Sequence, residues 1–112
     1  LAASGQNLEI PQKEFTVYFS QDRIELLRGE TSQLDVVILK SKGYRKSKVN
    51  MGLSSSLPKG VAVTFEPDNG HFDSTRANIL IQADATPGEY LLILNATLNF
   101  KTKGYILKLL IQ

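Results

Sequence analysis

The chain has 112 residues, 42% hydrophobic and 21% charged, with a net charge of +2, no cysteine and no tryptophan. That length suits about one domain with one modest buried core. The composition excludes a wholly disordered chain and a coiled coil, and the absence of cysteine excludes a disulfide framework and a thiolate zinc site.

Period-two alternation dominates, and no long segment has helical spacing. Leu1 to Lys13 is mixed and polar, includes Leu8 and Ile10, and reads as a linker or a short edge strand. Because the chain begins at Leu1 rather than a methionine, we expect a mature form or a piece of something longer. Glu14 to Ser20 is the first clear strand, with Phe15, Val17 and Phe19 on one face. Ile24 to Leu27 is a short strand ending at the Arg28-Gly29-Glu30 turn. Thr31 to Lys40 is long and β-rich, with Leu34, Val36 and Ile38 facing a core. Lys48 to Ser54 turns Val49, Met51 and Leu53 inward, and Val61 to Phe65 does the same with Val61, Val63 and Phe65. Leu57-Pro58-Lys59-Gly60 and Pro67-Asp68-Asn69-Gly70 are turns by composition. Ala77 to Ala83 points Ile79 and Ile81 inward. Tyr90 to Leu98 and Gly104 to Ile111 pair through a polar loop around Lys101-Thr102-Lys103. The longest apolar run, Tyr90 to Leu94, is too short to span a bilayer as a helix. Seven or eight strands bounded by Gly, Pro or Asn predict an all-β antiparallel sandwich of the immunoglobulin or fibronectin III type, occupying residues 14–112.

In Ala83-Asp84-Ala85-Thr86-Pro87-Gly88-Glu89-Tyr90, Pro87 fixes φ and Gly88 permits φ above zero, so the chain turns sharply. Tyr90 then heads a strand whose core face is Tyr90, Leu92, Leu94, Ala96 and Leu98. A tyrosine there can bury its ring and bond its hydroxyl to backbone upstream, the tyrosine corner of such sandwiches.

Four segments carry a resemblance: Arg28-Gly29-Glu30-Thr31, Leu57-Pro58-Lys59-Gly60-Val61, Phe65-Glu66-Pro67 and Thr86-Pro87-Gly88-Glu89-Tyr90. In order and spacing, from about Phe15 to Ile111, the chain resembles the immunoglobulin-like modules, often in tandem, of secreted and surface proteins of bacteria and archaea, the α-galactosidase-associated domains among them. The resemblance implies a secreted or cell-surface location and marks no catalytic residue. A basic loop after the second core strand and the N-terminal extension depart from the pattern.

That loop holds Lys40, Lys42, Arg45, Lys46 and Lys48, while the rest of the chain has eight basic and eleven acidic residues. The cluster is a candidate site for an anionic partner such as an acidic polysaccharide or a lipid surface. The simpler account is a solvated loop whose lysines block edge pairing. Nucleic acid is not expected, since only Tyr44 could stack on a base there. A second candidate surface comes from strands that are apolar on both faces. Val37, Leu39, Leu91, Ile93, Ile106 and Leu110 oppose core residues and would form one interaction face if their strands share a sheet; scattered surface aliphatics are the alternative.

Chemistry-bearing constellations are lacking. His71 stands near Glu66, Asp68 and Asp73, but the run has no calcium-loop spacing, and one imidazole rarely holds a metal. No nucleophile elbow or phosphate loop is present, and paired carboxylates occur only in turns, so we expect no catalysis and no cofactor. Tyr18 and Tyr44 are the tyrosines expected to be exposed for sugar stacking. Asn95-Ala96-Thr97 fits the glycosylation acceptor pattern, although Asn95 equally reads as a strand residue facing water. The expected role is a non-catalytic structural or protein-interaction module beside neighbouring domains or protomers. The alternatives are a filament subunit whose segment Leu1 to Gln12 adds as a strand to the next protomer, and a carbohydrate-binding accessory domain.

Overall fold

Alternation of apolar and polar residues becomes alternation of burial once each strand has a sheet to join. The computed structural model describes residues 9–54 and 56–112. Its strands are β1 (Phe15–Phe19), β2 (Arg23–Leu26), β3 (Thr31–Lys40), β4 (Val49–Leu53), β5 (Val61–Glu66), β6 (Asn69–Gly70), β7 (Ser74–Ile81), β8 (Gly88–Leu98) and β9 (Lys101–Ile111). The one helical element among the described residues is a 3-10 turn at Lys42–Tyr44. One sheet has the order β1-β3-β7-β5 and the other β2-β9-β8-β4-β6. All neighbours are antiparallel except β2, which runs parallel to β9.

The two sheets enclose a core between them. Phe15, Leu34, Val36, Ile38, Ile79 and Ile81 of the first sheet meet Leu92, Leu94, Leu98, Leu107, Leu109 and Ile111 of the second, none more than 2% exposed. Burying each large side chain contributes about 1.5–3 kcal/mol. The chain crosses between sheets at Ser20–Asp22. There the Ser20 hydroxyl accepts from the Asp35 amide at 2.9 Å, and the Asp22 carbonyl accepts from the Lys108 amide at 3.0 Å. These bonds end β1 on one sheet and start β2 on the other.

Side chains of β9 close the sandwich along the β1 edge. The Glu14 carboxylate bridges Lys101 at 2.9 Å and Lys103 at 3.0 Å. Lys103 also donates to the Phe15 carbonyl at 2.8 Å and lies 5.0 Å from the centre of the Phe15 ring. Hydrogen bonds from both lysines hold the Glu14 carboxyl below its ordinary range, and Glu14 in turn raises Lys101. Tyr105 packs edge-on against Phe19 at 5.9 Å, and burial pushes its phenol up.

Two expectations need correction. Lys101, Thr102 and Lys103 are not the hairpin loop; they pair with Leu98, Thr97 and Ala96 inside the β8–β9 ladder. The loop is Asn99-Phe100, with φ of 50° and 65°, the two positive values of a type I′ turn. Polar composition suggested a loop, yet Thr102 faces Thr97 hydroxyl to hydroxyl at 2.7 Å across the strands. Asn69-Gly70 is more than a turn, because it pairs with Val49 and Asn50 as β6. Residues 9–13 form no strand, and the expectation for Leu1 to Leu8 lies outside the described residues.

Candidate interaction surfaces

The expected interaction face is divided between two sheets. Val37 and Leu39 lie on β3 in the four-stranded sheet, while Leu91, Ile93, Ile106 and Leu110 lie on β8 and β9 in the other. The outer surfaces of the sheets point in opposite directions, so the six residues cannot make one patch. Val37 and Leu39 are half-buried beside Tyr18 and Thr16 of β1. Next to them the outer surface is polar, with Arg76 3.8 Å from Asp35 and the Asn78 amide donating to Glu66 at 2.8 Å, and beyond that strip Leu80 is exposed opposite Ala62. A shallow open depression over Gln33, Asp35, Glu66, Ser74 and Arg76 follows this polar strip.

The other four residues do belong together. Ile93 sits opposite Ile106, Leu91 opposite Lys108, and Glu89 opposite Leu110. Leu91 is 58% and Ile106 57% exposed, whereas Ile93 and Leu110 are half-buried. Gly104 leaves a dent beside them: a methyl group there would stand 3.2 Å from Cγ2 of Ile93. The Arg23–Glu25 ion pair, 3.0 Å long, borders the patch on β2. The result is a small apolar surface with a charged rim.

The basic cluster is also smaller than expected. Lys40 is not available to a partner, because its side chain is 7% exposed, 3.3 Å from Asp73, and donates to the Ser47 carbonyl at 3.4 Å. It falls on the core-facing register of β3, two residues beyond Ile38, and alternation carries it inward. Lys42, Arg45, Lys46 and Lys48 remain exposed, and among the described residues none of them has an ion-pair partner. Lys42 and Arg45 line a cleft with Ile10, Pro11 and Gln12. Lys48 lines another with Asn50, Thr97, Asn99 and Phe100. Tyr44 is half-buried rather than exposed, since its ring packs on Phe15 at 5.8 Å. Tyr18 is half-buried too.

Phe100 was not singled out in the sequence. Its ring is fully exposed at the hairpin tip, and its φ of 65° is one that glycine adopts freely. A non-glycine residue in this region costs about 1–2 kcal/mol. The available signal was Asn-Phe between two strands where such a turn ordinarily has Asn-Gly.

The remaining candidates disperse. Asp73 pairs with Lys40, Asp68 accepts from the Asn69 amide and Glu66 from Asn78. Among the described residues no three acidic or imidazole groups gather as metal ligands. The Asn95 amide nitrogen donates to the Ser54 hydroxyl. Tyr90 donates to the Thr86 carbonyl at 2.7 Å, the upstream bond expected of it. Among the described residues no helix is long and apolar enough to cross a membrane.

No protein-family model and no curated protein sequence matches the chain. The fold is shared with solved structures. A conjugate transposon protein fragment from Bacteroides vulgatus superposes with a TM-score of 0.62 at 16% identity, over 92% of this chain and 90% of that one. A family 123 glycoside hydrolase from Clostridium perfringens gives 0.57 at 11% identity, over 88% of this chain and 27% of that one. The chain therefore spans about a quarter of the hydrolase. At these identities the likeness is one of fold.

Proposed function

We propose that this chain is an immunoglobulin-like sandwich serving as a non-catalytic structural or protein-interaction module of a secreted or cell-surface protein. The sheet orders β1-β3-β7-β5 and β2-β9-β8-β4, with the first strand passing from one sheet to the other, support the immunoglobulin-like reading. The observation that carries the role is the apolar outer surface of Leu91, Ile93, Ile106 and Leu110. An antiparallel sheet facing water on that side would present polar residues there, and a rimmed apolar surface suits contact with a neighbouring domain. The likeness to part of a much longer hydrolase is in keeping with a module beside others.

A second reading is assembly by strand addition. Ile10 is 70% exposed outside any strand, and β5, with the sequence VAVTFE, is an edge strand with a single charged residue. Such an edge can accept another strand. Light scattering over a range of concentrations separates the two readings. The module reading expects monomers from both the whole chain and one lacking residues 1–13. A mass that rises with concentration in the whole chain alone replaces it with strand addition. Growth in both that Ile106→Lys abolishes makes the apolar surface a contact between copies.

A further inference from the structure

Phe100 breaks two rules at one position. It occupies a left-handed turn position suited to glycine, and its ring contributes nothing to the core. Neither the turn nor the packing accounts for a phenyl group here. The cationic loop at Lys42–Lys48 lies at the same end of the sandwich. Lys48 shares a cleft with Phe100, and Tyr44 packs on Phe15, whose ring lies 5.0 Å from Lys103 of the same hairpin. The acids nearby are mostly engaged: Asp73 holds Lys40, and Glu14 holds Lys101 and Lys103. Lys42, Arg45, Lys46 and Lys48 therefore leave that end with uncompensated positive charge.

We propose that this end of the sandwich docks on an anionic lipid surface, with Phe100 inserted at the headgroup boundary and Lys42, Arg45, Lys46 and Lys48 against the headgroups. An apolar ring on a projecting hairpin needs a soft partner that closes around it, and a basic patch beside it adds electrostatic attraction to anionic headgroups to the burial of the ring at the interface. A single-stranded nucleic acid would need successive stacking platforms. Tyr44, the ring on the cationic loop, is turned onto Phe15. A protein partner would need a pocket matched to a lone phenyl, and the other exposed apolar residues of the hairpin among those described, Leu91 and Ile106, lie along its strands away from the tip.

The test is co-sedimentation of the whole chain with vesicles of phosphatidylcholine alone or mixed with phosphatidylglycerol. Binding is expected only to the mixed vesicles and should weaken with salt. Each of Lys42, Arg45, Lys46 and Lys48 changed to glutamine should weaken it about five-fold. Phe100→Gly should weaken it about ten-fold without lowering the melting temperature, so lost binding cannot be lost folding. With no native tryptophan, Phe100→Trp places a sole reporter at the tip, and its emission should shift to the blue on binding the mixed vesicles. Absence of binding to mixed vesicles at low salt overturns the proposal. So does equal binding by Phe100→Gly, or retention on heparin or single-stranded DNA without vesicle binding.

Discussion

Gly60 offers the sharpest test of the packing described above. Its φ is +80°, and a methyl group there would stand 2.9 Å from N, Cα and Cβ of Ala85. Ala85 is buried, its amide donates to the Gln82 carbonyl at 3.1 Å, and the Gln82 amide donates to the Gly60 carbonyl at 2.7 Å. The Ala85 loop is thus tied to the residue that would push it away. Gly60→Ala combines about 1–2 kcal/mol for the left-handed backbone with about 1–3 kcal/mol for overpacking. Gly29→Ala is the matched control. Its φ is +89° and nothing lies within 4 Å of the added methyl, so only the first cost, about 1–2 kcal/mol, applies. Urea unfolding followed by far-ultraviolet circular dichroism measures both. Gly60→Ala should lose about 2–5 kcal/mol with m unchanged. Equal losses for the two variants would refute the close approach of Gly60 to Ala85.

Two further outcomes follow from single interactions. Tyr90→Phe removes the bond to the Thr86 carbonyl and should cost about 1 kcal/mol in the same assay. Glu14 contributes through ionisation: its folded pKa lies below the ordinary 4.5 because Lys101 and Lys103 donate to it. A depressed carboxyl stabilises the fold above 4.5, and that contribution disappears as pH falls through the lowered value. The melting temperatures of the native chain and Glu14→Gln should therefore differ at neutral pH and converge in acid, and a gap independent of pH would show that the ion pairs contribute nothing.

Much of the fold was legible in sequence because strand formation is a local matter of alternation. Thr31 to Lys40 has the same bounds in both readings, and Leu34, Val36 and Ile38 are its buried residues. The Tyr90 bond was equally readable, since such chemistry acts within a few residues, but the turn expected at Pro87-Gly88 lies upstream at Gln82–Ala85, and Gly88 already pairs with Ile111 as the first residue of β8. The surfaces were less legible. Lys40 reads as one more cation in a basic run, yet its register turns it inward to Asp73, thirty-three positions away. Polar Lys101, Thr102 and Lys103 read as a loop because the pairing that makes them a strand comes from across the hairpin.

That this chain is built of strands, where most of them run, and which face of each meets a core were all readable from local pattern, because those properties depend on neighbours two to four residues apart. Which strands share a sheet was settled by long-range packing. Pairing is a contest between distant segments with similar apolar faces, and local pattern does not rank them. That decision separated Val37 and Leu39 from Leu91, Ile93, Ile106 and Leu110. It also brought the Lys42–Lys48 loop beside the exposed ring of Phe100.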